Sequence, residues 1–216
     1  MFDLALLTAS FVTFFVVIDP IGVAPIFAAL TDGSTNAHRR AMAIKSVAIA
    51  TVVLVGFAYG GEWLLGALHI SLDAFRAAGG VLLFLIALEM IFEKRTERRE
   101  ERAEKMTDED PTTSGTHEDI SVFPMAIPML AGPGAIASIM LFMSADDATV
   151  MSQIAIFIGL GANLLACLLI FLAVGPLMRI MGDTLAAMIT RILGVILAAL
   201  AAQFIFDGIA GALLGG

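Results

Sequence analysis

Six stretches of this chain are long and apolar enough to cross a lipid bilayer, and that leaves few folds open to it. A spanning helix takes about 20 mostly apolar residues. The runs are Leu4 to Leu30, Met42 to Leu68, Leu72 to Phe92, Ile120 to Met143, Val150 to Met178 and Asp183 to Leu214. More polar stretches separate them. No run alternates with period 2, so a membrane β-barrel is not expected. Overall, 59% of the residues are hydrophobic and the mean hydropathy is +0.96, above what a soluble core requires. The first run has no basic leader region and continues past any plausible cleavage point, so it reads as a span rather than a signal peptide. The lone Cys167 lies inside a span and needs no role.

The charge balance describes one segment more than the whole protein. Ten of the 20 acidic and six of the 12 basic residues lie between Glu93 and Asp119, which reads as a charged linker. The basic residues also set an orientation, because Lys and Arg gather on the cytoplasmic side of membrane proteins. Arg39, Arg40, Lys45, Lys94, Arg95, Arg98, Arg99, Arg102, Lys105, Arg179 and Arg191 share one side if the N-terminus is outside. Only Arg76 falls on the other, so eleven of the twelve agree. Both termini are then expected outside, in a cell inner membrane, with the linker in the cytoplasm.

The two halves resemble one another. Gly80 to Phe92 reads GVLLFLIALEMIF, and Gly194 to Phe206 reads GVILAALAAQFIF; Gly80, Val81, Leu83, Ala87, Ile91 and Phe92 recur at an offset of 114. Pro20 in the first run and Pro133 in the fourth align at an offset of 113. Each half then carries three spans, and an odd number forces the halves into opposite orientations. The expected organisation is a first repeat over 1–92, the linker over 93–119 and an inverted repeat over 120–216. The fold class is all-α, with six transmembrane helices in two inverted three-helix repeats. Transporters built this way bind their solutes where the repeats meet.

Two of the spans carry helix-breaking clusters. Asp19, Pro20, Gly22 and Pro25 lie deep in the first; Pro124, Pro128, Gly132, Pro133 and Gly134 lie in the fourth. Proline removes a backbone donor and clashes with the preceding turn. Asp19-Pro20 reads as a helix cap followed by a first helical residue, and Gly132-Pro133 opens a helix in the same way. Each restart leaves backbone N–H groups facing the break, where an anion is favoured. Irregular backbone at membrane depth persists only where protein or a water-filled cavity covers it. Helices 1 and 4 are therefore expected to be discontinuous and to form one central site. Asp19 reads either as a cap or as the acid that takes a coupling ion or a substrate amine.

Weaker candidates are Asn163, deep in the fifth span and equally suited to an interhelical hydrogen bond; Arg76 and Arg191, at equivalent ends of helices 3 and 6; and Gln203, expected within a polar network. No nucleotide-binding signature, metal-ligand cluster or catalytic motif is evident, so no enzymatic activity, cofactor, metal or nucleic-acid partner is expected. The alternatives to a secondary transporter are a channel and a non-transporting membrane partner.

The motifs DPIGVAPIF (Asp19 to Phe27) and AIPMLAGPGAI (Ala126 to Ile136) resemble the paired signatures of the MarC family of six-span membrane proteins. The resemblance covers essentially the whole chain, the charged linker least. It implies a carrier of small neutral amino acids of the glycine and alanine class more than a drug pump. Carried over residue by residue, the substrate site comprises Asp19, Pro20, Ile21, Gly22, Ala131, Gly132, Pro133 and Gly134. Backbone donors would take the carboxylate, and Asp19 or free carbonyls the ammonium. A proton or sodium gradient would drive transport.

Overall fold

The computed structural model describes residues 4–92, 119–144 and 149–214, apart from the side chains of Met181, Asp183 and Leu214. The expected linker lies outside the described residues except for Asp119. Eight helical segments follow one another: α1 (Leu4–Ile18), α2 (Pro20–Leu30), α3 (Asn36–Ala67), α4 (Leu72–Ile91), α5 (Ser121–Leu130), α6 (Pro133–Met143), α7 (Val150–Leu172) and α8 (Val174–Leu214). Segments α1 and α2 form the first span, and α5 and α6 the fourth. The protein is an all-α integral membrane protein.

Local sequence explains most of the helix ends. Thr35 caps α3 by accepting from the His38 N–H, and α3 therefore begins six residues before the apolar run does. Ser71 caps α4 through Ala74, and Thr149 caps α7 through Ser152. Between α7 and α8 the chain barely leaves helical geometry. It breaks instead inside α8 at Gly182, with φ 61° and ψ 169°, a conformation open to glycine and strained for other residues. The sixth span, Thr184–Leu213, follows that break.

A buried core runs through α1, α2, α6 and α7, with α3 and α8 closing around it. Phe27 of α2 stacks on Phe171 of α7, with ring centroids 4.4 Å apart. Phe14 of α1 meets Phe142 of α6 at 5.8 Å. The outer faces are apolar as well: Val52, Leu169 and Ile192 are more than half exposed, as a lipid-facing surface requires. Trp63 is exposed one turn before the end of α3, where an aromatic side chain suits the membrane boundary.

In lipid there is little hydrophobic drive for helices to associate, so close backbone approach matters more. The α4–α8 pair illustrates this. A Cβ on Gly80 would meet Ile205 N and Ala201 O at 2.8 and 2.9 Å; one on Gly194 would meet Ala87 O and Ile91 Cγ1, both at 3.1 Å. Further along, Gly208 abuts Ala77 and Gly211 abuts Asp73. The two helices thus run antiparallel over several turns. The contacts are also reciprocal: Gly80, Ala87 and Ile91 correspond to Gly194, Ala201 and Ile205 at the offset of 114. Each glycine touches the counterparts of the residues touched by the other. On the basic side, Lys45 Nζ lies 2.9 Å from Asp119 Oδ2, so α3 and the start of α5 share a membrane face. Hydrogen bonding from the Ser121 hydroxyl, followed by that from Lys45, holds the Asp119 carboxyl at about 2.

Gly80→Val and Gly194→Val should each lose about 2–3 kcal/mol through overpacking. Gly56 faces open space. Gly56→Ala should therefore be neutral or up to about 1 kcal/mol more stable, from helix propensity alone. Unfolding of detergent-solubilised protein compares the three; equal losses would show that the α4–α8 glycines have no special packing role.

Candidate functional site

The first break is narrow. Asp19 alone leaves helical geometry, taking φ 56° and ψ 63°, while Asp19 N still donates to Phe15 O and Val23 N to Asp19 O, each at 3.0 Å. The chain therefore kinks without separating. As expected, Asp19 caps α2: Oδ1 accepts from Gly22 N at 3.0 Å, and Pro20, which has no N–H to satisfy, occupies the first helical position. Asp19 is 1% exposed. Its carboxylate also accepts from the Thr190 hydroxyl of α8, at 3.2 Å to Oδ1 and 3.4 Å to Oδ2. A charged Asp deep in a span costs about 3 kcal/mol on insertion scales. Each hydrogen bond to a charged group returns about 1.5–3 kcal/mol, so two of them bring the balance near zero.

Gly22 makes this arrangement possible. A Cβ there would overlap Asp19 Oδ2 and stand 2.8 Å from both Asp19 Cγ and Thr190 Oγ1. Any side chain at position 22 would displace the carboxylate, the threonine or both.

The second break is wider. Phe123 (φ −131°, ψ 129°) and Ile127 (φ −127°, ψ 117°) are extended because each precedes a proline, and both X–Pro bonds are cis. Segment α5 is consequently wound more loosely than an α-helix, and it meets α6 at a 55° bend. Gly132 stands at the head of α6, and no side chain caps that helix. A Cβ on Gly132 would overlap Pro128 O. Gly132 is half-buried and Pro133 exposed, whereas Ala131 and Gly134 are buried. Both expected discontinuities exist, in unequal degree.

The two breaks come together. A Cβ on Gly134 would stand 2.9 Å from Val17 Cγ1, two residues before Asp19, and 2.8 Å from Ile86 Cδ1 of α4. The head of α6 thus rests against the last turn of α1. Pro20 and Gly22 are buried beside Asp19, and Ile21 is half-buried.

The weaker candidates divide. Asn163 is buried, and its Nδ2 donates to Phe11 O of α1 and to Gly159 O, both at 2.9 Å. It ties α7 to α1 as an interhelical hydrogen bond and leaves Oδ1 with no partner. Arg76 pairs with Asp73 at 3.4 Å, one turn away on α4. Arg191 is exposed, although its neighbour Thr190 reaches Asp19. Gln203 corrects the expectation of a deep network: it is exposed and donates to Asp207 Oδ1 at 2.7 Å, one turn along the outer face of α8. Its helix turns positions 197 and 201 inward and 203 outward.

Three residues had no signal as site members in sequence. Thr190 sits 171 positions from its partner, Asp19. Thr13 Oγ1 and Ser138 Oγ are buried with no hydrogen-bond partner. Ser138 lies one turn from both Gly134 and Phe142, which touch Val17 and Phe14 of α1; Thr13 lies one turn before Val17. The two hydroxyls therefore belong to facing sides of α1 and α6. Among the described residues, no three His, Cys, Asp or Glu side chains are grouped to hold a metal ion.

A polytopic helical bundle with one kinked and one bent span, and a buried acid at the kink, defines the class: a multi-pass integral membrane protein. Residues 4–213 match the model of the MarC family integral membrane protein, and the chain belongs to that family. Among its relatives, a UPF0056 membrane protein of Methanocaldococcus jannaschii is 35% identical over 98% of this chain and 100% of its own length. The UPF0056 membrane protein YvbG of Bacillus subtilis is 34% identical over 93% of this chain and 92% of its own. The counterpart YhcE of Escherichia coli is 31% identical over 97% and 94%. No solved structure matches the chain.

Thr190→Val removes one hydroxyl and keeps the volume. It should cost about 1–2 kcal/mol, with Thr190→Ser close to wild type, as read by thermal unfolding in detergent. A valine variant as stable as the serine variant would mean that the contact contributes nothing.

Proposed function

We propose that the chain is a secondary transporter of small neutral amino acids of the glycine and alanine class. The observation that carries this reading is the meeting of two broken spans with unlike chemistry: a buried carboxylate at one and an uncapped helix head at the other. A zwitterion suits that pair. Its carboxylate would lie at the head of α6, where first-turn N–H groups and the helix dipole favour an anion. Its ammonium would replace the Thr190 hydroxyl or the Gly22 N–H region beside Asp19. Thr13 and Ser138 offer further hydrogen bonds nearby. The tight space around Gly22 and Gly134 favours a substrate with a small side chain and counts against bulky drugs.

The reciprocal α4–α8 contacts support two inverted halves moving against one another in alternating access. Burial of Asp19 favours a carrier over a channel, since an open pore would keep such a group wet. Proton or sodium coupling through Asp19 completes the reading, which assigns the chain no catalytic step, cofactor or nucleic-acid partner. The membrane would be the cell inner membrane, with both termini outside.

Purified protein in proteoliposomes should take up labelled glycine or alanine saturably when a proton or sodium gradient is imposed. Asp19→Asn should abolish gradient-driven uptake, reducing it at least about 100-fold, a loss equivalent to about 2.7 kcal/mol, while folding is retained. Wild-type uptake in that variant would reduce Asp19 to a helix cap. Orientation is separately testable: alkaline phosphatase fused after Gly216 should be active, and the same fusion within the linker inactive. The reverse pattern would invert the topology.

A further inference from the structure

A second polar feature lies away from the broken spans. A cavity of about 350 Å³ opens between the first turn of α3 and the α7–α8 junction, lined by Asn36, Arg39, Arg40, Leu172, Gly175 and Pro176. We infer that this cavity binds the phosphate head of an anionic phospholipid from the surrounding leaflet.

Arg39 is held in place for such a ligand. Its Nε donates to Thr31 Oγ1 at 3.2 Å and its Nη2 to Thr31 O at 3.1 Å, and Thr31 is only 1% exposed. Two of the five guanidinium donors are used in this anchor, so the rest of the fork is presented at fixed orientation. Arg40 is exposed, and among the described residues neither arginine has a carboxylate partner. Two unneutralised guanidinium groups on one wall attract an anion, and their planar forks match phosphate oxygens. Asn36, the first residue of α3, adds an amide at the positive end of a 32-residue helix.

The rest of the wall argues for a lipid over a free ion. Leu172 is apolar and 42% exposed, and it continues a stripe with Leu169 at 57% and Leu165 at 54%. Positions 165, 169 and 172 fall on one face of α7, and that face looks into the bilayer. A head in the arginine cavity would place an acyl chain along this stripe. Basic cavities between transmembrane helices on the cytoplasmic side bind anionic headgroups for the same electrostatic reason. Among the described residues, Arg39 and Arg40 in the cavity and Lys45 on the same helix lie toward the N-terminal end of α3, so the cavity sits at a basic end of the bundle.

The test uses the full chain in a neutral detergent, titrated with phosphatidylglycerol, phosphatidylcholine or inorganic phosphate. Retained lipid is counted by native mass spectrometry and stabilisation is read by thermal unfolding. The expected result is saturable retention of phosphatidylglycerol, little of phosphatidylcholine, and no stabilisation by phosphate at matched ionic strength. Arg40→Gln should weaken phosphatidylglycerol binding about fivefold, the value of one basic residue at an anionic membrane surface, without changing the melting temperature of lipid-free protein. Arg179→Gln, on the same side but outside the cavity, should bind as wild type does. Equal retention of both lipids, or unchanged binding by Arg40→Gln, would overturn the inference. Equal stabilisation by phosphate would replace the lipid with a free anion as occupant.

Discussion

A bilayer interior offers no hydrogen-bond partner to a peptide group, and the rest of this structure is arranged around that fact. An unbroken helix satisfies its backbone internally. Each break exposes donors or acceptors that must be covered or capped. At Asp19 the solution is local: one left-handed residue, a carboxylate accepting from Gly22, and helical bonds on both sides. At Gly132 the chain bends by 55° and the helix head carries no side-chain cap. Both breaks are set against other helices, and so they end up beside one another. The interior therefore holds a buried carboxylate at one interruption and an uncapped helix head against the last turn of α1 at the other.

The helices that enclose the site are held by proximity more than by apolarity. Gly80 and Gly194 let α4 and α8 approach until backbone meets backbone. Because their faces are as apolar as the lipid, a few tenths of an ångström of extra contact outweighs composition. Elsewhere the same role falls to Gly159, against Ser10 and Phe11, and to aromatic pairs such as Phe27 with Phe171. Asn163 adds directionality between α1 and α7 that dispersion cannot supply.

The sequence was most informative where the signal is local. Run length located the spans, Asp-Pro announced the α2 cap, and Gly-Pro-Gly announced the head of α6. Hydropathy marks where the membrane begins, so the apolar run opens at Met42, whereas the helix itself begins six residues earlier, at Asn36 behind its cap, Thr35. Thr190 was illegible because its role depends on a partner 171 residues away. Gln203 misled because depth along a helix says nothing about which side of it faces inward; its neighbour Ala201 is buried and Gln203 is not. The loose winding of α5 was only half legible: prolines at 124 and 128 foretold irregularity, and the spacing of four turned two kinks into one wide coil.

The inequality of the two breaks gives the interior a direction. Two identical interruptions would cancel by symmetry. Here one carries a buried acid held by Gly22 and Thr190, and the other a helix head with no side-chain cap. The centre of the bundle is therefore polarised, and its two ends are not interchangeable even where the helices around them pair reciprocally.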